Sequence, residues 1–206
     1  TLMGNVTGNN YVGGIVGRGG SSFTNIIVYG EIVGQKYVGG VGGDIGGSIK
    51  QCMSFVKLSS SQGYCGGIGG DISGYINSNY SHCKITSDGD YIGGIGGCHT
   101  EGYISDNYTT GTLVSIKEKV GGICGCLTGS QCERNYSMVS IVGKNSIGGI
   151  AGTFVGYNKY YNPSQGYQSV YSNIYSNVVL CSKIMGNGNS IGKVYGYKGG
   201  YAQAGS

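Results

Sequence analysis

Asp44 and Asp71 hold the same place in two successive copies of a repeated phrase, and Cys98 and Cys126 hold it in the next two. Two carboxylates held close together could share acid/base work on a glycosidic bond or bind calcium. Two cysteines one repeat apart could close a disulfide that clips neighbouring coils. The acidic run is only two residues long and no GGxGxD nonapeptide accompanies it, so a surface turn is the ordinary home for these residues. His82 and His99 are the only histidines, and neither sits in a nucleophile motif. Cys124-Gly-Cys126 followed by Cys132 lacks the spacing of a zinc finger or ribbon. The sequence therefore points to no enzyme, no metal and no cofactor.

A second set of residues repeats with a stricter pattern. Asn79-Tyr80-Ser81, Asn107-Tyr108-Thr109 and Asn135-Tyr136-Ser137 each form a glycosylation sequon, and Asn5-Val6-Thr7 is a fourth. The first three asparagines fall on the inward side of an alternating pattern, which suits an internal ladder as well as it suits a glycan. Asn5 falls on the outward side. Tyr80, Tyr108 and Tyr136 are expected to form an outward column. That column could bind sugar or pack a subunit, or its rings could stack to stabilise the sheet.

The elements that position these residues follow from one phrase. It reads YVGGIVG from Tyr11, YVGGVGG from Tyr37, YCGGIGG from Tyr64 and YIGGIGG from Tyr91. It continues as KVGGICG from Lys119, SIGGIAG from Ser146 and a decayed SIGKVYG from Ser190. The starts differ by 26, 27, 27, 28, 27 and 44 residues. A fixed period of this size is the signature of a solenoid. The reading is an all-β, parallel β-solenoid of about seven coils, one domain over residues 1–206, with a loop inserted at about 153–170.

The faces follow from alternation. Ile32, Leu58, Ile85, Leu113 and Ile141 should point inward, with Glu31, Lys57, Lys84, Thr112 and Ser140 outward. Val12, Val38, Cys65, Ile92, Val120 and Ile147 make one apolar ladder. Ile15, Val41, Ile68, Ile95, Ile123 and Ile150 make another. Three residues separate the two ladders, so a bulge or corner is expected at the intervening Gly pair, where glycine offers positive φ and close approach.

Composition narrows the partners. The 206 residues include 45 Gly, 19 Tyr and eight Cys, with 11% charged and a net charge of +4. The scattered Lys and Arg form no stripe dense enough for nucleic acid. No apolar run approaches a membrane span. Few charges, many uncharged polar residues and an even cysteine count suit an extracellular or cell-surface setting. The chain opens at Thr1 in mid-pattern and stops within a repeat. That suits either head-to-tail stacking of copies into a filament or a boundary inside a longer protein.

The pattern I-x-x-C/N-Y-x-x-G-x-V followed by Y-V-G-G-I-V-G resembles the GLUG repeat of bacterial surface proteins, with about six copies over nearly the whole chain. The resemblance implies a β-solenoid within adhesins and other large secreted proteins, and it brings no catalytic residues. The implied role is structural, a filament subunit or an adhesin stalk, with carbohydrate binding by the Tyr80, Tyr108 and Tyr136 column or the loop near Tyr160 as the alternative. The departure from Ser190 onward, where Lys193 replaces the second Gly, suggests an irregular coil or an end cap.

Overall fold

The computed structural model describes residues 1–162, 166–200 and 202–204. The described chain is all β and winds as a parallel β-solenoid. One coil comprises Tyr80–Ser87, Asp90–Gly93 and Gly96–Ser105. The next repeats it as Tyr108–Ser115, Val120–Gly121 and Cys124–Glu133. Each residue lies over its equivalent, with Tyr80 on Tyr108, Ile92 on Val120 and Gly96 on Cys124. The first two stretches of each coil belong to one sheet and the third to a second sheet. In the third stretch the rungs run Val16, Gly42, Gly69, Gly96, Cys124, Ala151 and Tyr195. The expected seven coils are thus seven rungs with six turns between them.

Burial follows the sequence pattern. Ile32, Leu58, Ile85, Leu113 and Ile141 are all at most 1% exposed. The ladder from Val12 to Ile147 is buried throughout, as is the ladder from Val41 to Ile150. Ile15 is the exception at 44% exposure, because it occupies the first rung and nothing covers it. Stacking removes apolar surface from water at about 25 cal/mol per Å2, so each coil is stabilised chiefly by its neighbours.

Two bends per coil place a non-glycine residue in the left-handed region. One series is Asn25, Gln51, Ser78, Asp106, Arg134 and Ser176, with φ between 50° and 57°. The other is Tyr11, Tyr37, Tyr64, Tyr91, Lys119, Ser146 and Ser190, with φ between 52° and 66°. This corrects the expected reason for the Gly pair. Gly66 and Gly67 have no positive φ, and the left-handed residue is the tyrosine before them. A chain bend does follow the pair, and close approach alone explains the glycines. A Cβ on Gly67 would overlap Ser81 Oγ and Gly94 O.

The insertion is ordered differently from a loop. Tyr157–Asn162 pairs antiparallel with Gly166–Val170, a hairpin that interrupts the third stretch. On either side of it, Ala151–Val155 and Ser172–Tyr175 both pair with Cys124–Glu133. The Tyr160 side chain lies outside the described residues. The decayed copy is not irregular: Ile191 lies over Ile147, Tyr195 over Ala151, and Lys193 O accepts from Gly149 N at 2.8 Å.

Candidate functional site

The stretch that follows the tyrosine bend brings the chemically varied residues into one line. Arg18, Asp44, Asp71, Cys98, Cys126 and Thr153 stack in register on successive strands. The next residue on each strand points inward, as fully buried Ile45, Ile72, His99 and Leu127 show, so the line faces outward. Tyr11, Tyr37, Tyr64 and Tyr91 stack beside it with ring centroids 4.5–4.9 Å apart. Cations dress this column. Arg18 lies 5.1 Å from the Tyr11 ring, Lys36 lies 4.7 and 4.9 Å from Tyr37 and Tyr64, and Lys119 lies 4.3 Å from Tyr91. Such contacts are worth about 0.5–1 kcal/mol each at exposed sites.

Charge along the line changes from rung to rung. Arg18 Nε pairs with Asp44 at 2.9 Å. Asp71 forms no ion pair among the described residues, and burial followed by the neighbouring Asp44 charge pushes its carboxyl up to about 6. Burial, then neighbouring Tyr91, raises the Tyr64 phenol. The Cys98 thiol hydrogen-bonds to the Cys126 sulfur, which holds Cys98 protonated and lowers Cys126. The Thr128 hydroxyl lies 3.4 Å from Cys126 Sγ, and Lys119 adds positive potential. Here the two thiols face each other in the reduced state, and the other six cysteines are reduced as well. Most of the others fill interior rungs as small apolar residues. Among the described residues no group of three His, Cys, Asp or Glu could hold a metal.

His99 lies on the opposite side of the same strand from Cys98, fully buried. Its Nδ1 is 2.8 Å from Ser130 Oγ and its Nε2 is 3.2 Å from Gly74 O. Burial lowers its pKa to about 4, so it is a neutral core residue. His82 is on the outside, with Nδ1 2.7 Å from Thr110 Oγ1.

The asparagines resolve into an internal ladder. Asn79, Asn107 and Asn135 are at most 2% exposed. Each carboxamide oxygen accepts from the backbone N–H of the preceding coil: Asn107 Oδ1 from Asn79 N and Asn135 Oδ1 from Asn107 N, both at 3.0 Å. Each Nδ2 donates to a carbonyl one coil back, Asn79 to Ile49 and Asn107 to Ile76. No room remains for a glycan on these three in the folded chain, which corrects their reading as acceptors. Asn177 continues the ladder, taking Asn135 N at 2.9 Å. The sequon search missed it because Val179 stands where a hydroxyl would. Asn5 is exposed, with Oδ1 accepting from Glu31 N at 3.0 Å.

Tyr80, Tyr108 and Tyr136 do form an outward column, and Tyr29 and Phe55 extend it. Ring centroids are 4.9–6.3 Å apart along it. Tyr29–Phe55 and Tyr80–Tyr108 stack and cover each other's faces, while Phe55–Tyr80 and Tyr108–Tyr136 meet edge to face; sugar stacking needs an open face. The Tyr108 hydroxyl also donates to Met138 Sδ at 2.7 Å. The column thus works first as a sheet stabiliser.

No family model matches the chain, no curated protein matches it, and no solved structure matches it. What sequence reasoning overlooked was the second column, from Tyr11 to Tyr91. Its signal was present as the first letter of every early phrase, but alternation assigns no face to a residue at a bend.

Proposed function

We propose that the chain is an extracellular structural β-solenoid, either the subunit of a self-stacking filament or the stalk of a surface adhesin. One observation carries the structural part. Ladder positions that are fully buried inside the stack are about 40% exposed on its outer rungs: Ile15 is 44% exposed against 0% for Val41 and Ile68, and Ile191 and Val194 are 41% and 40% exposed against 0% for Ile147 and Ile150. Each outer rung offers unpaired strand edges and an apolar row at the spacing of another coil. An open depression of about 390 Å3 among Val179, Cys181, Ile184, Ile191, Gly192 and Lys193 adds to the second of these surfaces. In the filament reading a second copy stacks on these rows. Low charge and the likeness to GLUG repeats support the extracellular setting. The alternative, a carbohydrate-binding module, loses support where Tyr80 and Tyr108 stack on each other.

Electron microscopy of the native protein at low salt and micromolar concentration tests this reading. Filaments with an axial repeat of about 34 Å, seven strand spacings, are expected of a stacking subunit. Ile15→Lys should abolish them by placing a charge in the contact. Isolated rods of one repeat length would overturn the filament and leave the stalk. Binding of a glycan that is lost in Tyr108→Ala would overturn both in favour of the alternative.

A further inference from the structure

Cys98 and Cys126 form a pair of nucleophilic groups that the structural role does not use. The two residues face each other directly on adjacent parallel strands. Strand spacing in a sheet is about 4.8 Å, within the Cα separation of about 4.4–6.8 Å that a disulfide spans. Both lie on the outward line between Asp71 and Thr153, not in the core. Each keeps 8% of its surface, while Cys52, Cys65, Cys83, Cys124 and Cys132 keep 0–2%. Hydroxyls flank the sulfurs, with Thr100 Oγ1 4.0 Å from Cys98 and Thr128 Oγ1 3.4 Å from Cys126.

We propose that Cys98 and Cys126 form a thiol–disulfide exchange site for small-molecule disulfides, and that exchange closes a covalent clip between neighbouring coils. Cys126 is the attacking group. The Cys98 hydrogen bond and the nearby Lys119 favour its thiolate, whereas burial raises the interior thiols Cys65, Cys83, Cys124 and Cys132. In the first step Cys126 Sγ bonds to one sulfur of a disulfide RSSR, and RS− leaves with the Cys126 proton to become RSH. In the second, Cys98 Sγ attacks Cys126 Sγ and displaces the remaining RS−, which takes the Cys98 proton. Two protein thiols are oxidised by two electrons, and one small disulfide is reduced to two thiols. The site is independent of whether the solenoid is a filament or a stalk.

Incubation of the reduced, folded protein with oxidised glutathione at pH 7 tests this, read by intact mass and peptide mapping. The wild type should lose the mass of two hydrogens, with fragmentation placing the link between Cys98 and Cys126. Cys98→Ser should stop at one glutathione adduct on Cys126, and Cys126→Ser should lose that reaction. The wild-type map decides the matter if a variant fails to fold. An unchanged wild-type mass would overturn the proposal. A stable wild-type adduct without closure, or modification centred on the more exposed Cys181, would overturn it equally.

Discussion

The two left-handed bends of each coil solve the same geometric problem with opposite side-chain policies. After the bend at Ser78, Asp106 and Arg134 the chain places asparagine inside, coil after coil, and the carboxamides satisfy one another and the backbone. After the bend at Tyr37, Tyr64 and Tyr91 the outward line changes from Arg18 to Asp44 and Asp71, then to Cys98 and Cys126. A buried ladder tolerates one residue type because every member donates to the carboxamide of the next coil and accepts from the coil before, so a gap strands two neighbours. An outward line has water as an alternative partner and is free to vary. Repetition therefore marks the support of this fold, and variation marks where chemistry has room to enter.

The sharpest way to break this contrast is Asn107→Ala. It removes the acceptor of Asn79 N and the donor to Ile76 O and Ser105 O, all buried. A loss of about 3 kcal/mol is expected, at about 1–3 kcal/mol for each stranded group. Urea denaturation measures it, and a cost under about 1 kcal/mol would show that the ladder is not a support.

An acid titration compares the inward and outward sides of two adjacent strands, Gly69–Asn77 and Gly96–Ser105. His99 has its pKa lowered to about 4, so its contribution to stability is full above the usual 6.5 and is lost as pH falls through 4. That loss is of order 3 kcal/mol at most. Asp71 has the opposite sign. Raised to about 6, it contributes stability that is full below 3.8 and is lost as pH rises through 6. The inward and outward groups thus oppose each other between pH 6 and 4. Asp71→Asn should steepen the acid loss, and His99→Gln should flatten it. Urea midpoints from pH 7 to 4 check both, and parallel profiles for all three proteins would contradict the assignment.

The smallest effect is expected at the outer column. Tyr108→Ala removes one ring from a stack with water on its open side, and about 1 kcal/mol should be lost. A thermal melt measures it. A cost equal to that of Asn107→Ala would erase the distinction between the inward ladder and the outward column.

The period, the parallel solenoid, the inward ladders and the outward Tyr80 column were all legible in the chain, because stacking forces equivalent residues to share one environment and so writes the same residue types at each turn. The sequence also left two readings of Asn79, Asn107 and Asn135, since a sequon and a ladder use the same letters. Only tertiary structure decided between them, by burying the carboxamides against the backbone of the preceding coil. It alone also decided that the tyrosine, not the glycine, takes the left-handed bend, since a local conformation that costs energy in isolation is held by hydrogen bonds from the coils on either side. And it alone set the line of Asp71, Cys98 and Cys126 facing outward, with Lys119 near it, because the bend that joins two stretches of strand has no period from which a face can be read.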